Sequence, residues 1–159
     1  MVSVVRSIVV AQPAGEVFAW IADLENEARW RLEVLSSQQA GGPRWGRGAR
    51  YRQRVRPLAR SFETTVEVTG FELGRWLAFS ERGRPSLVRG LYAVEPVASG
   101  ARVWCAAVVD PARAMAGLGR ERLARLLGSR IEFDLEHLRA VLEGSAAGEP
   151  RALLVTASR

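Results

Sequence analysis

The chain has one histidine and one cysteine, and this narrows the chemistry it can do. His137 lies in a C-terminal segment of helical period, where about 100° per residue places it nearly opposite Leu135 and Ile131. It is therefore expected to be exposed and not a proton-transfer group. Cys105 sits among Val103, Ala106, Ala107 and Val108 and reads as a buried, inert thiol. Without a second histidine or a cysteine cluster no metal site suggests itself, and no cofactor is expected. Asp110, Glu81 and Glu95 are the acids nearest strand ends. Each is either a solvated turn residue or, if desolvated, a base with a raised pKa. Arg89 and Tyr92 could orient a carbonyl or enolate oxygen, although strand alternation puts them on opposite faces. Gly46-Arg47-Gly48 lacks the downstream lysine and the strand-to-helix context of a phosphate loop, so it reads as a hairpin turn.

The net charge is +6, and all 23 basic residues are arginine. The densest run is RYRQRVR, where Arg50, Arg52, Arg54 and Arg56 alternate with Tyr51, Gln53 and Val55. In a strand this period of two sends the guanidinium groups to one face and the other three side chains to the opposite face. Glu63 and Glu67 in the next segment alternate with Phe62, Thr64, Val66 and Val68 and can lie across from the arginines. A solvated, partly neutralised outer face follows. Nucleic-acid binding is not expected, because aromatic platforms do not interleave with the arginines; Arg102 and Trp104 share a face and could sit beside the stripe. An interaction module using this basic face remains one alternative.

These residues need elements to hold them. A chain of 159 residues, 48% hydrophobic and 25% charged, has the size and balance of one globular domain. Val2 to Val10 reads as a strand, followed at Gln12-Pro13 by a helix to about Asp23 that buries Val17, Trp20 and Ile21. A second short helix runs from Glu25 to about Arg31. Segments near 34–40, 49–56, 61–71, 75–82, 86–96 and 101–109 then show strand period, separated by glycine or proline turns. Their connections are too short for parallel crossovers, so the sheet is antiparallel. After Asp110-Pro111 a helical pattern runs to about Gly144, with Leu123, Leu127, Ile131, Leu135, Leu138 and Leu142 on one face. Only the concave side of the sheet is large enough to receive that stripe. A second stripe, Leu126, Phe133, His137 and Ala140, needs a cover, either Leu153-Leu154-Val155 or a second subunit in a homodimer.

If the last helix leaves a hollow against the sheet, its inward candidates are Trp30, Tyr51, Gln53, Phe62, Thr64, Leu77, Phe79, Tyr92, Val103 and Cys105. Met115, Leu118 and Leu127 meet them from the helix side. Apolar walls with a few polar groups suit a ligand site, and they equally suit a filled core. Gln53, Thr64 and Tyr92 are the candidate orienting hydrogen bonds.

The ordered set "QPAGEVFAWIADLENEARW", "WGRGARYR", "RWLAFSE", "GLYAVEP" with "SGARVW", and "DLEHLRAVLE" resembles the START-like (SRPBCC) superfamily, in particular its polyketide cyclase/dehydrase-like branch. The resemblance covers residues 2 to about 143. It departs in the glycines at the start of the last helix and in the apolar residues beyond Gly144. The resemblance implies an α+β helix-grip fold: a curved antiparallel sheet of about seven strands wrapped around a long C-terminal helix, with two short helices after strand 1. It also implies a domain over 1–143, a tail over 144–159, and an internal cavity for lipids, polyketides, quinones or similar molecules. Trp30 matches a tryptophan of the family pattern near the expected opening. Binding or carriage of an apolar or aromatic small molecule is the leading expectation, and a cyclase or dehydratase acting in the same cavity is the alternative. No membrane span is expected and the location is read as cytoplasmic.

Overall fold

The computed structural model describes residues 1–83, 86–111 and 117–148, with side chains to residue 144. Strand β1 (Val2–Val10) leads to helix α1 (Ala14–Ala22), a 3-10 turn (Leu24–Asn26) and the single turn α2 (Glu27–Trp30). Strands β2 (Val34–Gly41), β3 (Arg50–Val55), β4 (Phe62–Glu72), β5 (Trp76–Arg82), β6 (Leu87–Val97) and β7 (Gly100–Asp110) follow, then helix α3 (Arg120–Gly148). The order across the sheet is β1-β7-β6-β5-β4-β3-β2, every pair antiparallel. This is the helix-grip architecture: six strands meander, and β1 closes on β7 at the far side.

Local chemistry explains the boundaries. Pro13 stands just before α1 and its carbonyl accepts from Val17 N at 3.1 Å, so the ring sits where no helical N–H is needed. Asp23 ends α1 in extended backbone and its carboxylate accepts from Glu25 N at 3.1 Å, which starts the next turn. Gly119, with φ +72°, stands immediately before α3. The helix begins at Arg120 and continues past Gly144 to Gly148.

Alternation holds along β3: Arg50, Arg52 and Arg54 are exposed, while Tyr51, Gln53 and Val55 are buried. Arg50 pairs with Glu67 and Arg54 with Glu63, as the spacing predicts; Arg52 faces Thr65. Trp104 does not stand beside the arginine stripe, because β6, β5 and β4 lie between β7 and β3. Its indole N–H instead donates to Glu95 at 3.1 Å, and the Arg102 guanidinium lies 5.8 Å from its ring centre. A bulge at Val68/Gly70 resets the parity of β4 and turns Phe71 inward onto Phe18, with ring centres 5.7 Å apart.

The main core joins Trp20, Ile21, Leu24, Trp30, Leu77, Tyr92 and Val103 to Leu135, Leu138 and Leu142 of α3. A smaller cluster of Val2, Val4 and Leu123 takes Leu127 against it, and Ile131 touches both clusters. The α3 backbone comes closest to the sheet at β1 and packs against α2. A Cβ on Gly128 would meet only the far end of the flexible Arg6 side chain, which reaches across to Glu132 Oε1 at 2.5 Å. On the other side of α3, Leu126, Phe133, His137 and Ala140 are exposed. Residues 153–155, the expected cover, lie outside the described residues.

Candidate functional site

The turn from α2 into β2 carries Glu27, Trp30 and Arg31 at helical spacings of three and four, which brings them to one side of the backbone. That side faces the concave sheet, and Glu27 and Trp30 are fully buried. Two rows of inward residues meet them from below. One runs Ser37, Gln53, Thr64 across β2, β3 and β4. The other runs Leu77, Tyr92, Cys105 across β5, β6 and β7.

Glu27 is the hub. Its Oε1 accepts from the Tyr92 hydroxyl at 2.5 Å and from Arg31 Nη1 at 3.3 Å, and its Oε2 accepts from Gln53 Nε2 at 2.6 Å. Gln53 Nε2 also donates to Ser37 Oγ at 3.1 Å. Arg31 reaches on to Glu33 at 2.6 Å, with Arg130 of α3 3.9 Å from the same carboxylate. Asp134 of α3 accepts from Leu32 N at 3.0 Å. Partners of this kind are what make a buried carboxylate tolerable.

Burial, then the charge of Glu27, raises the Tyr92 phenol well above its ordinary value, so it remains a neutral donor. Burial and the Asp23 charge push Tyr51 up to about 12. Burial likewise pushes the Cys105 thiol up to about 12, in keeping with an inert core cysteine. The Trp30 and Tyr92 rings meet edge-on at 5.5 Å, and Phe79 tilts against Tyr92 at 5.1 Å.

Hydrogen-bonding capacity is left over. Trp30 Nε1, Gln53 Oε1 and Thr64 Oγ1 are buried and have no partner among the described residues. Leaving such an atom unpaired costs about 1–3 kcal/mol. Gln53 belongs to the Glu27 hub, Thr64 is its direct cross-strand partner, and Trp30 packs edge-on against Tyr92, which Phe79 also meets.

Of the residues read from the sequence as pocket lining, Trp30, Tyr51, Gln53, Thr64, Leu77, Phe79, Tyr92, Val103 and Cys105 are buried and Phe62 is half-buried. All except Phe62, Gln53 and Thr64 belong to the main core cluster. Leu118 does not join them: it lies in the turn before α3 and is 40% exposed. Leu127 packs against the smaller cluster, because the first turns of α3 run along β1. Met115 lies outside the described residues. Among the three strand-end acids, Glu81 is fully buried while Asp110 and Glu95 are exposed.

The sequence reading missed Glu27, Arg31, Ser37 and Asp134. The available signal was Glu27-x-x-Trp30-Arg31, a carboxylate one turn from an aromatic residue already placed inside. Among the described residues no three histidine, cysteine or acidic side chains converge as metal ligands. A groove of about 440 Å³ also opens between β1 and the start of α3, lined by Ser3, Val4, Val5, Arg6, Glu121, Ala124 and Arg125. It contains none of the predicted lining residues.

A family model described as polyketide cyclase/dehydrase and lipid transport matches residues 1–143. No curated protein sequence matches the chain. Among solved structures, the Zhui aromatase/cyclase from Streptomyces sp. R1128 superposes with a TM-score of 0.70 at 16% identity, covering 92% of this chain and 97% of that one. TTHA0849 from Thermus thermophilus gives 0.71 at 21% identity, over 91% and 98%. The di-domain aromatase/cyclase BexL of the BE-7585A biosynthetic pathway gives 0.73 at 18% identity, over 92% of this chain and 48% of its own length. At these identities the likeness shows the fold. Among the described residues no helix is long and apolar enough to cross a membrane.

Proposed function

Because the chain belongs to the polyketide cyclase/dehydrase and lipid transport family, we propose that it binds an apolar or aromatic small molecule between the sheet and α3. The ligand's polar group lies at Gln53, Thr64 and Trp30, and its apolar body lies against Leu77, Phe79 and Val103. The observation that carries this reading is the surplus of buried hydrogen-bonding atoms on those three residues. A core that served packing alone gains nothing from orphaned polar atoms, whereas a ligand site uses a few of them within apolar walls to fix orientation.

Native mass spectrometry of protein purified from its own host tests the reading, together with titration of the neutral fluorescent probe N-phenyl-1-naphthylamine. The expected result is a retained small-molecule adduct or saturable, blue-shifted probe emission that the adduct's ligand displaces. An empty protein with no saturable probe binding refutes it.

The Tyr92–Glu27 pair supports a second, enzymatic reading. Glu27 is a buried carboxylate that could take a proton from carbon next to a ligand carbonyl, while Tyr92 and Arg31 supply donors for the oxygen that gains charge. Cyclisation or dehydration of a bound poly-ketone would then require Glu27. A Glu27→Gln variant that still bound ligand and turned it over at the wild-type rate would remove this reading.

A further inference from the structure

We infer, on the premise of the binding site just proposed, that the site selects a neutral ligand carrying a hydroxyl group, in preference to a carboxylate or a bare hydrocarbon. The hydroxyl donates to Gln53 Oε1 and accepts from the Thr64 hydroxyl.

The argument rests on which way Gln53 is held. Its amide nitrogen donates to Glu27 Oε2 at 2.6 Å and to Ser37 Oγ at 3.1 Å. Turning the amide over would set Oε1 against the carboxylate oxygen of Glu27, acceptor against acceptor. The orientation is therefore imposed by the buried charge, and Oε1 remains as a buried acceptor with no donor among the described residues. Thr64 is the direct cross-strand partner of Gln53, and its hydroxyl is likewise buried and unpartnered. A fixed acceptor thus stands beside a group that can donate or accept.

A ligand atom that satisfies Gln53 Oε1 must be a donor. A ketone or ether oxygen cannot donate, and neither can a carboxylate. A carboxylate would also lie one amide group away from Glu27, whose charge repels it. A hydroxyl satisfies both protein atoms at once, and the Trp30 indole N–H is a further donor for a second oxygen on the same ligand. Sites that hydrogen-bond a hydroxyl reject analogues lacking it more strongly than apolar walls reject an added methylene.

The test is competition against N-phenyl-1-naphthylamine by four ligands of one ring size: naphthalene, 2-naphthol, 2-methoxynaphthalene and 2-naphthoate at neutral pH. The expected result is that 2-naphthol displaces the probe at about tenfold lower concentration than naphthalene or the methoxy ether, with the carboxylate weaker than 2-naphthol by at least about tenfold. In Thr64→Val, of nearly the same shape, the ratio of naphthol to naphthalene affinity should shrink to about threefold or less. Equal binding of naphthol and its methyl ether to the wild-type protein overturns the inference without needing any variant, as does preferred binding of the carboxylate. Both outcomes leave the small-molecule reading standing. Failure of the probe to bind, together with no retained small molecule in the purified protein, removes that reading and this inference with it.

Discussion

Gly90→Ala should destabilise the protein although it adds one methyl group to a strand interior. Gly90 is the cross-strand partner of Phe79, and the Phe79 ring points its edge at the space a side chain would fill. A Cβ at Gly90 would stand 2.2 Å from Phe79 Cζ and 2.7 Å from both Cε atoms. Ordinary carbon contacts need about 3.5–4.0 Å, so the ring must move by more than 1 Å at its tip. It has little room, because Tyr92 lies against it with ring centres 5.1 Å apart. Overpacking of this kind costs about 1–3 kcal/mol. Removing glycine from a strand interior returns roughly 0.5–1 kcal/mol. Steric cost wins, and the net loss is about 1–2 kcal/mol. In urea, with a slope of about 1–3 kcal/mol/M, the midpoint should fall by roughly 0.5–1 M at unchanged slope. The double variant Gly90→Ala/Phe79→Leu, with the ring removed, should be less destabilised than the two singles added together, by about 1 kcal/mol. If Gly90→Ala unfolds at the wild-type midpoint, or if the cycle closes additively, the ring does not occupy the glycine's place and the packing argument is wrong.

Other perturbations read the buried groups directly. The chain has only two tyrosines, and both are raised, Tyr51 to about 12. Absorbance at 295 nm should therefore show no phenolate step in the folded protein near pH 10, where free tyrosine ionises; a half-titrated signal there would mean that one ring is open to water. Cys105, with its thiol pushed up to about 12, should resist dithiobisnitrobenzoate at pH 8 and react only at the rate of unfolding. Immediate stoichiometric labelling would contradict its burial. Burial raises the Asp134 carboxyl above 3.8. Its protonated form thus favours folding: the contribution is complete below 3.8 and is lost as pH rises through the folded value. Asp134→Asn keeps an oxygen to accept from Leu32 N, so it should gain stability over the wild type as pH rises from about 3.8 to neutrality and match it at lower pH. A pH-independent difference between the two would refute the assignment.

Much of the architecture was legible because it rests on local rules. The period of two in RYRQRVR is enough to send Arg52 out and Gln53 in, whatever lies around it, and the same parity carries Tyr92 and Cys105 into the core. Short connections between the strands leave only antiparallel pairing, and the leucine stripe of α3 requires a broad apolar partner. Two misplaced residues fail for different reasons: Leu118 precedes α3, which begins at Arg120, whereas Leu127 is on the helix, whose period says which side chains share a face and not which strand that face will meet.

Composition and periodicity by themselves determined the strand succession, the basic outer face, the buried cysteine and the inward set from β3 to β7. The tertiary structure alone decided that β1 closes on β7, that Arg6 of β1 reaches Glu132 of α3, and that Glu27 is buried. A glutamate on a four-residue helix reads as solvated, since burying its charge costs several kcal/mol without partners. Its donors, Tyr92 and Gln53, are 65 and 26 residues away in the chain. Only folding brings them within hydrogen-bonding distance, so the local Glu27-x-x-Trp30 spacing could point to an inward carboxylate but not to the donors that make its burial tolerable.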